Sequence, residues 1–108
     1  MAWKVIYFES RRGEKFVKEF IDEQSYAVKG KYIGMIDFLT GYGPFLSSKY
    51  TKKIKSDLYE LRITSKEQIG IFYTIKGKDI ILLHAFKKKT QKTPAKEIKT
   101  AVSRLDTT

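Results

Sequence analysis

The side chains best suited to chemistry lie in two short stretches. Residues 82–94, LLHAFKKKTQKTP, carry the only histidine, His84, followed by Lys87, Lys88, Lys89 and Lys92. Residues 52–62, KKIKSDLYELR, carry Lys52, Lys53 and Lys55 ahead of Glu60 and Arg62. Cations in excess over acids suit phosphate-bearing partners, since they displace condensed counterions. A histidine near its ordinary pKa can move a proton. With no second histidine or cysteine beside it, His84 is a poor metal ligand, and no metal or other cofactor is expected.

Each feature also has a plainer reading. A lone histidine in an apolar strand is commonly a hydrogen-bonded packing residue. A lysine run at a strand end can simply discourage sheet-to-sheet aggregation. Glu60 beside Arg62 can be an exposed ion pair, worth ~0–1 kcal/mol.

Charge distribution favours a binding surface. The net charge is +10, with 22 basic and 12 acidic residues. Residues 1–45 hold seven basic and six acidic side chains, whereas residues 46–108 hold fifteen and six. A polyanion is the simplest partner for such a half; an acidic protein or plain solubility also fits. Tyr50, Tyr59, Phe72 and Tyr73 supply rings in the same half, some able to stack bases.

These residues must be positioned by one small domain, since 108 residues support a single modest core. WKVIYF, residues 3–8, is rich in strand formers. Residues 10–23 space Phe16, Val17, Phe20 and Ile21 as a helix does. From Ser25, a plausible N-cap, a second helix carries the stripe Val28, Tyr32, Met35, Ile36 and Leu39. Gly30 and Gly34 cost this helix roughly 1 kcal/mol each, a cost that close helix packing would explain. TGYGP, residues 40–44, breaks it. Residues 45–57 read as a loop or edge strand. LYELRIT (58–64), QIGIFYTI (68–75) and IILLHAF (80–86) read as a three-stranded antiparallel meander, with the unalternating last run covered on both faces. Thr93 is the expected cap of a final helix starting at Pro94. Fold class is therefore α+β.

Side chains alternate along a strand. Tyr59, Leu61 and Ile63 should face the helices, leaving Leu58, Glu60, Arg62 and Thr64 on a more open face. Ile80, Leu82, His84 and Phe86 share one parity of the last strand, Ile81, Leu83 and Ala85 the other. If the sheet brings the lysines after residue 86 opposite those before residue 58, they form two walls of one basic hollow, with Arg62 facing Lys87.

Several classes are excluded or disfavoured. Without cysteines there are no disulfides, zinc thiolates or thiol nucleophiles. No phosphate-binding loop, H-E-x-x-H or G-x-G-x-x-G pattern occurs. The N-terminal apolar run is too short for a signal peptide, and no segment nears the ~20 apolar residues that span a bilayer. A cytoplasmic protein without membrane contact is expected.

DLYELRI and IGIFYTIKGKDIILLHAFKKKTQKTPAKEI, with the length and element order, resemble HigB-type toxins. These form a phage-derived branch of the RelE/ParE toxin–antitoxin superfamily. The likeness covers most of the chain and is strongest over residues 57–101. It implies a RelE-like single domain acting as a metal-independent, ribosome-dependent mRNA endonuclease. In that chemistry the RNA 2′-hydroxyl attacks the adjacent phosphate. It further implies a helix-turn-helix antitoxin as partner, and operator DNA contacted only through that complex. By the same resemblance Arg62 is the strand arginine acting on the scissile phosphate. Lys53 and Lys55 match basic residues before that strand and are expected to bind the RNA backbone, with Lys55 a candidate for proton transfer. His84, Lys87 and Lys88 match the end of the last strand, where the family places further active-site groups, His84 being the candidate acid or base. From the basic clusters and rings themselves, Lys52, Lys88, Lys89, Lys92 and Tyr73 are further expected RNA contacts. Two positions depart from the pattern: Gly70 stands where relatives commonly carry arginine, and Asp57 where they carry glycine. A gyrase inhibitor of the ParE kind, or a degenerate toxin acting only within the antitoxin–operator complex, are the alternatives.

Overall fold

A computed structural model describes residues 2–90 and 92–108. Its elements are β1 (Lys4–Tyr7), α1 (Phe16–Asp22), α2 (Tyr26–Tyr42), a 3-10 turn (Gly43–Phe45), β2 (Thr51–Lys55), β3 (Leu58–Thr64), β4 (Gln68–Lys76), β5 (Asp79–Lys88) and α3 (Ala95–Leu105). The five strands form one sheet in the order β1-β5-β4-β3-β2. The expected meander is present, and the class is α+β. Two strands extend it: β2 pairs antiparallel to β3 as an edge strand, and β1 pairs parallel to β5. The α1–α2 crossover leads away from β1, and a crossover is what a parallel pair needs. The pairing leaves β5 central, between β1 and β4.

The helix hairpin covers one sheet face as its periodicity predicts. Val17, Ile21, Val28, Tyr32, Met35 and Leu39 are buried there against Leu61, Ile63, Ile71 and Leu82. α1 starts later than residue 10 because Gly13 takes φ +84°, a left-handed turn that helical backbone does not allow. Ser25 caps α2, its hydroxyl accepting from the Val28 N–H at 3.3 Å. Gly30 and Gly34 do not serve helix packing: both are exposed, and a Cβ at either would meet nothing within 4 Å.

The second face is not open, as the strand parity had implied. α3 lies across it and buries Leu58, Phe72, Leu83, Phe86 and Ala101 in a second core. Glu60 is 0% exposed beneath this layer. The end of the face around Arg62 lies outside the α3 layer, as does the exposed Lys52 on β2. Thr93 does not cap α3. The helix begins at Ala95 with Pro94 as its N-cap, and the Thr93 hydroxyl instead donates to Glu60 Oε1 at 3.1 Å.

A β-bulge revises the parity of β5. Phe72 pairs with His84 while Tyr73 pairs with Leu82, so Leu83 is the extra residue. An extra residue flips the side chains that follow. Ile80 and Leu82 face the hairpin, yet after the bulge Ala85 does, and His84 and Phe86 turn toward α3.

Candidate nucleic-acid interface

β2 stops short of β3. Thr51 pairs with Leu61, and the last bond along this edge runs from the Arg62 N–H to Tyr50 O at 2.8 Å. A turn bonded from Tyr50 N–H to Ser47 O then carries the chain away. Residues 62–64 of β3 thus overrun their neighbour, and the gap between them and α2 is a cleft of about 660 Å³. Met35, Phe38, Ile63 and Ile69 give it an apolar interior, and Lys31, Lys49, Arg62 and Lys88 supply cations. Gln68 and Tyr50 add neutral polar groups, and no carboxylate residue lines it. Lys31 reaches from α2 to donate to Thr64 O, joining helix to strand end. Gly34 leaves the helix wall without a side chain at this point.

A second hollow adjoins the first through Gln68 and Lys88, and adds Lys66, Lys87 and Lys89. Its one acid, Glu67, pairs with Lys87 at 2.7 Å. Cations therefore line the end of the sheet from Lys49 past Arg62 to Lys89, with Lys88 buried between them in an ion pair with Glu60.

The sequence-predicted residues divide across this surface. Pairing sets Arg62 opposite Gly70 and Gly70 opposite Phe86, so Lys88, two residues on, shares the Arg62 face. Lys87 does not: it pairs with Ile69, which pairs with Ile63, and points to the hairpin side. Lys88, not Lys87, is the partner of Arg62 in the cleft. Lys52 lies opposite Glu60 on the Arg62 face and is exposed; Lys53 lies opposite Tyr59 on the other. Lys55 pairs with Leu58, four residues along β3 from Arg62, or about 13 Å at ~3.3 Å per residue. It belongs to the far end of the strand, with Asp57 and the C-terminus of α3. Lys89 and Lys92 are exposed in the loop after β5.

Tyr73 is corrected outright. It is 2% exposed in the hairpin-side core, its hydroxyl 2.6 Å from Thr51 Oγ1 and its ring stacked on Tyr59. Burial raises its hydroxyl pKa, and no base can reach it.

His84 is held by α3. Arg104 Nη1 lies 3.2 Å from Nδ1 and also donates to Leu83 O at 2.8 Å. A guanidinium only donates, so Nδ1 accepts and Nε2–H donates to Glu97 Oε1 at 2.7 Å. Burial lowers the His84 pKa and the Arg104 charge lowers it further, while Glu97 opposes both. Arg104 is held in turn over the Phe16 ring at 4.1 Å, tying α1 to α3. This is the hydrogen-bonded packing role, with both nitrogens engaged.

Gly70 is more than a missing cation. A Cβ there would meet Glu60 Oε2 at 2.6 Å and the Phe86 ring at 2.7 Å. Phe86 lies across the glycine and stacks on Phe72 at 5.2 Å, so an aromatic ring fills the room a side chain would use. Asp57 has a local cause as well. It takes φ +62° in the two-residue turn between Lys55 and Leu58, a conformation that aspartate tolerates better than most residues.

Lys31, Lys49 and Gln68 were not singled out from sequence. Lys31 sits on the outer flank of an apolar helix stripe, and Lys49 in an irregular loop. Only the early end of β2 brings them to Arg62.

A family model for phage-derived protein Gp49-like (DUF891) matches residues 19–106. The chain belongs to this family. The Gp49-like family is RelE- and toxin-like, and the matched span takes in α2, the β2–β5 sheet and α3, including every cation of the cleft. No curated protein matches the chain. No helix among the described residues is long and apolar enough to cross a membrane.

Proposed function

We propose that this Gp49-like protein is the HigB-type toxin of a toxin–antitoxin module and cuts messenger RNA at the ribosome. The carrying observation is the unpaired Arg62 in a cleft that also holds Lys31, Lys49 and Lys88 and no acid. Among the described residues Arg62 makes no ion pair. It can therefore give its full charge to a phosphate. In the proposed reaction the RNA 2′-oxygen attacks phosphorus and the bond to the 5′-oxygen breaks. The products are a 2′,3′-cyclic phosphate and a 5′-hydroxyl, with the 2′ proton lost to solvent and one regained by the leaving oxygen. Arg62 would stabilise the phosphorane charge, which needs no metal. The toxin-like family supports the reading, and a helix-turn-helix antitoxin, with operator DNA bound through it, is the partner it implies.

One observation favours a second reading, a degenerate toxin that keeps antitoxin and operator binding alone. His84 has no free ring nitrogen and Lys55 lies at the far end of β3, so neither supplies proton transfer at Arg62. Expression without antitoxin, followed by mapping of messenger 5′ ends, separates the readings. Codon-phased cuts are expected. Growth arrest with intact messages and damaged DNA would point to gyrase, and absence of toxicity to the degenerate form.

A further inference from the structure

The basic cleft opens on its α2 side onto a strip of exposed rings that the phosphate chemistry does not use. Phe38, Tyr42 and Phe45 are 43%, 58% and 78% exposed. With Tyr50 they line a separate hollow of about 370 Å³ that contains no charged residue and shares Phe38 and Tyr50 with the cleft. Phe38 stands 5.5 Å from Tyr50 and 6.4 Å from Tyr42. Lys49 lies over the Tyr50 ring at 5.5 Å, and Lys31 lines the same cleft as Phe38. Folding gains nothing from leaving three large rings beside water, and a clustered exposed apolar patch marks a binding surface.

We propose that the Phe38–Tyr42–Phe45–Tyr50 strip is a base-stacking subsite for single-stranded RNA whose phosphates run through the adjoining cleft. The inference deepens the RNA reading above and rests on it. Chemistry selects the occupant. A second copy of the chain is disfavoured because each carries a net +10 and like charge repels. The rings lie beside cations, the pairing that single-stranded nucleic acid exploits without sequence preference. No carboxylate lines either hollow to repel the backbone. The glycine at position 34 keeps the passage between cleft and helix open.

Fluorescence anisotropy with two uncleavable probes of equal length and charge tests this. One is a labelled hexanucleotide of 2′-O-methyl ribonucleotides, and the other is the same strand with abasic sugars. The expected result is at least about fivefold tighter binding of the base-bearing strand, since a stacked base typically contributes that much or more. Phe38→Ala and Tyr50→Ala should lower the preference severalfold, while Phe38→Tyr and Tyr50→Phe preserve it. Because the readout is a ratio, a partly unfolded variant lowers both affinities and leaves the preference intact. A wild-type ratio near one overturns the proposal, as does a ratio untouched by both alanine variants. So does binding of an acidic, tryptophan-bearing peptide that Phe38→Ala weakens while the ratio stays fixed, which assigns the strip to a protein partner. Failure of the nuclease reading looks different: messages stay intact while the preference for bases persists.

Discussion

Glu60 pairs with Lys88 rather than with its strand neighbour Arg62. The carboxylate and ammonium are 2.8 Å apart, with side chains 0% and 6% exposed. This choice of partner frees the arginine and fixes a lysine beside it. It also anchors the loop after β5, because Thr93 donates to the other Glu60 oxygen.

Removing one member of the pair should cost far more than removing both. Glu60→Gln leaves a buried ammonium without its counter-charge, a loss of about 3–5 kcal/mol in comparable sites. The double variant Glu60→Leu, Lys88→Met replaces the charges with apolar volume and should recover most of that loss. Urea unfolding of Glu60→Leu, Lys88→Met and the double variant measures the coupling. Additive losses would show that the two charges are independently solvated.

Arg62→Ala should abolish messenger cleavage while changing stability by no more than about 1 kcal/mol, the ordinary range for residues outside the core. The side chain is half-buried at the cleft, and its backbone bond to Tyr50 is unaffected by the substitution. RNA binding should also lose about 0.7 from its slope of log affinity against log salt, one phosphate contact on a single strand. Unchanged cleavage with an unchanged slope would remove Arg62 from the site.

Much of this arrangement is legible in the sequence. The helix stripe from Val28 to Leu39, the cap at Ser25 and the meander follow from period and punctuation. So does the presence of Arg62 off the hairpin face. What fails does so for local reasons. The bulge at Leu83 is invisible to parity and re-aims His84 from its expected companions, Ile80 and Leu82, toward α3. Glu60 reads as a surface partner for Arg62 because nothing in a seven-residue strand announces that α3 will cover half its face. Lys31 and Lys49 join the cleft through tertiary geometry alone.

The His84 geometry carries a sign for pH dependence. The folded-state pKa lies below the ordinary 6.5 because burial penalises the imidazolium. The folded protein then binds fewer protons than the unfolded chain below that pH. Stability is full above pH 6.5 and falls as the pH drops from there toward the folded pKa. The groups facing the imidazole are Glu97 and Arg104 on α3, between rings of Phe72 and Phe86. Urea midpoints measured from pH 7.5 to 5 should decline in the wild type and flatten in His84→Gln. The same variant should cleave RNA within a few-fold of wild type once corrected for folded fraction. A loss of two orders of magnitude in a folded His84→Gln would restore the histidine to catalysis.

Gly70 decides whether the arginine that the HigB resemblance implies at this position could simply be introduced. The Phe86 ring and the Glu60 carboxylate already fill that space, at 2.7 and 2.6 Å from an ideal Cβ. Both are packed against buried neighbours and cannot swing aside freely. Gly70→Arg should therefore destabilise the fold by about 1–3 kcal/mol, the usual penalty of overpacking, and should not raise cleavage. Adding Phe86→Ala vacates the ring's place, so the double variant should be less destabilised than the two single losses summed. The introduced guanidinium would then stand on the same face as Arg62, directly across the strand pair. Thermal unfolding reads the first effect, and the rate of messenger cleavage reads the second. A Gly70→Arg protein as stable as wild type would mean that Phe86 is not confined over this glycine.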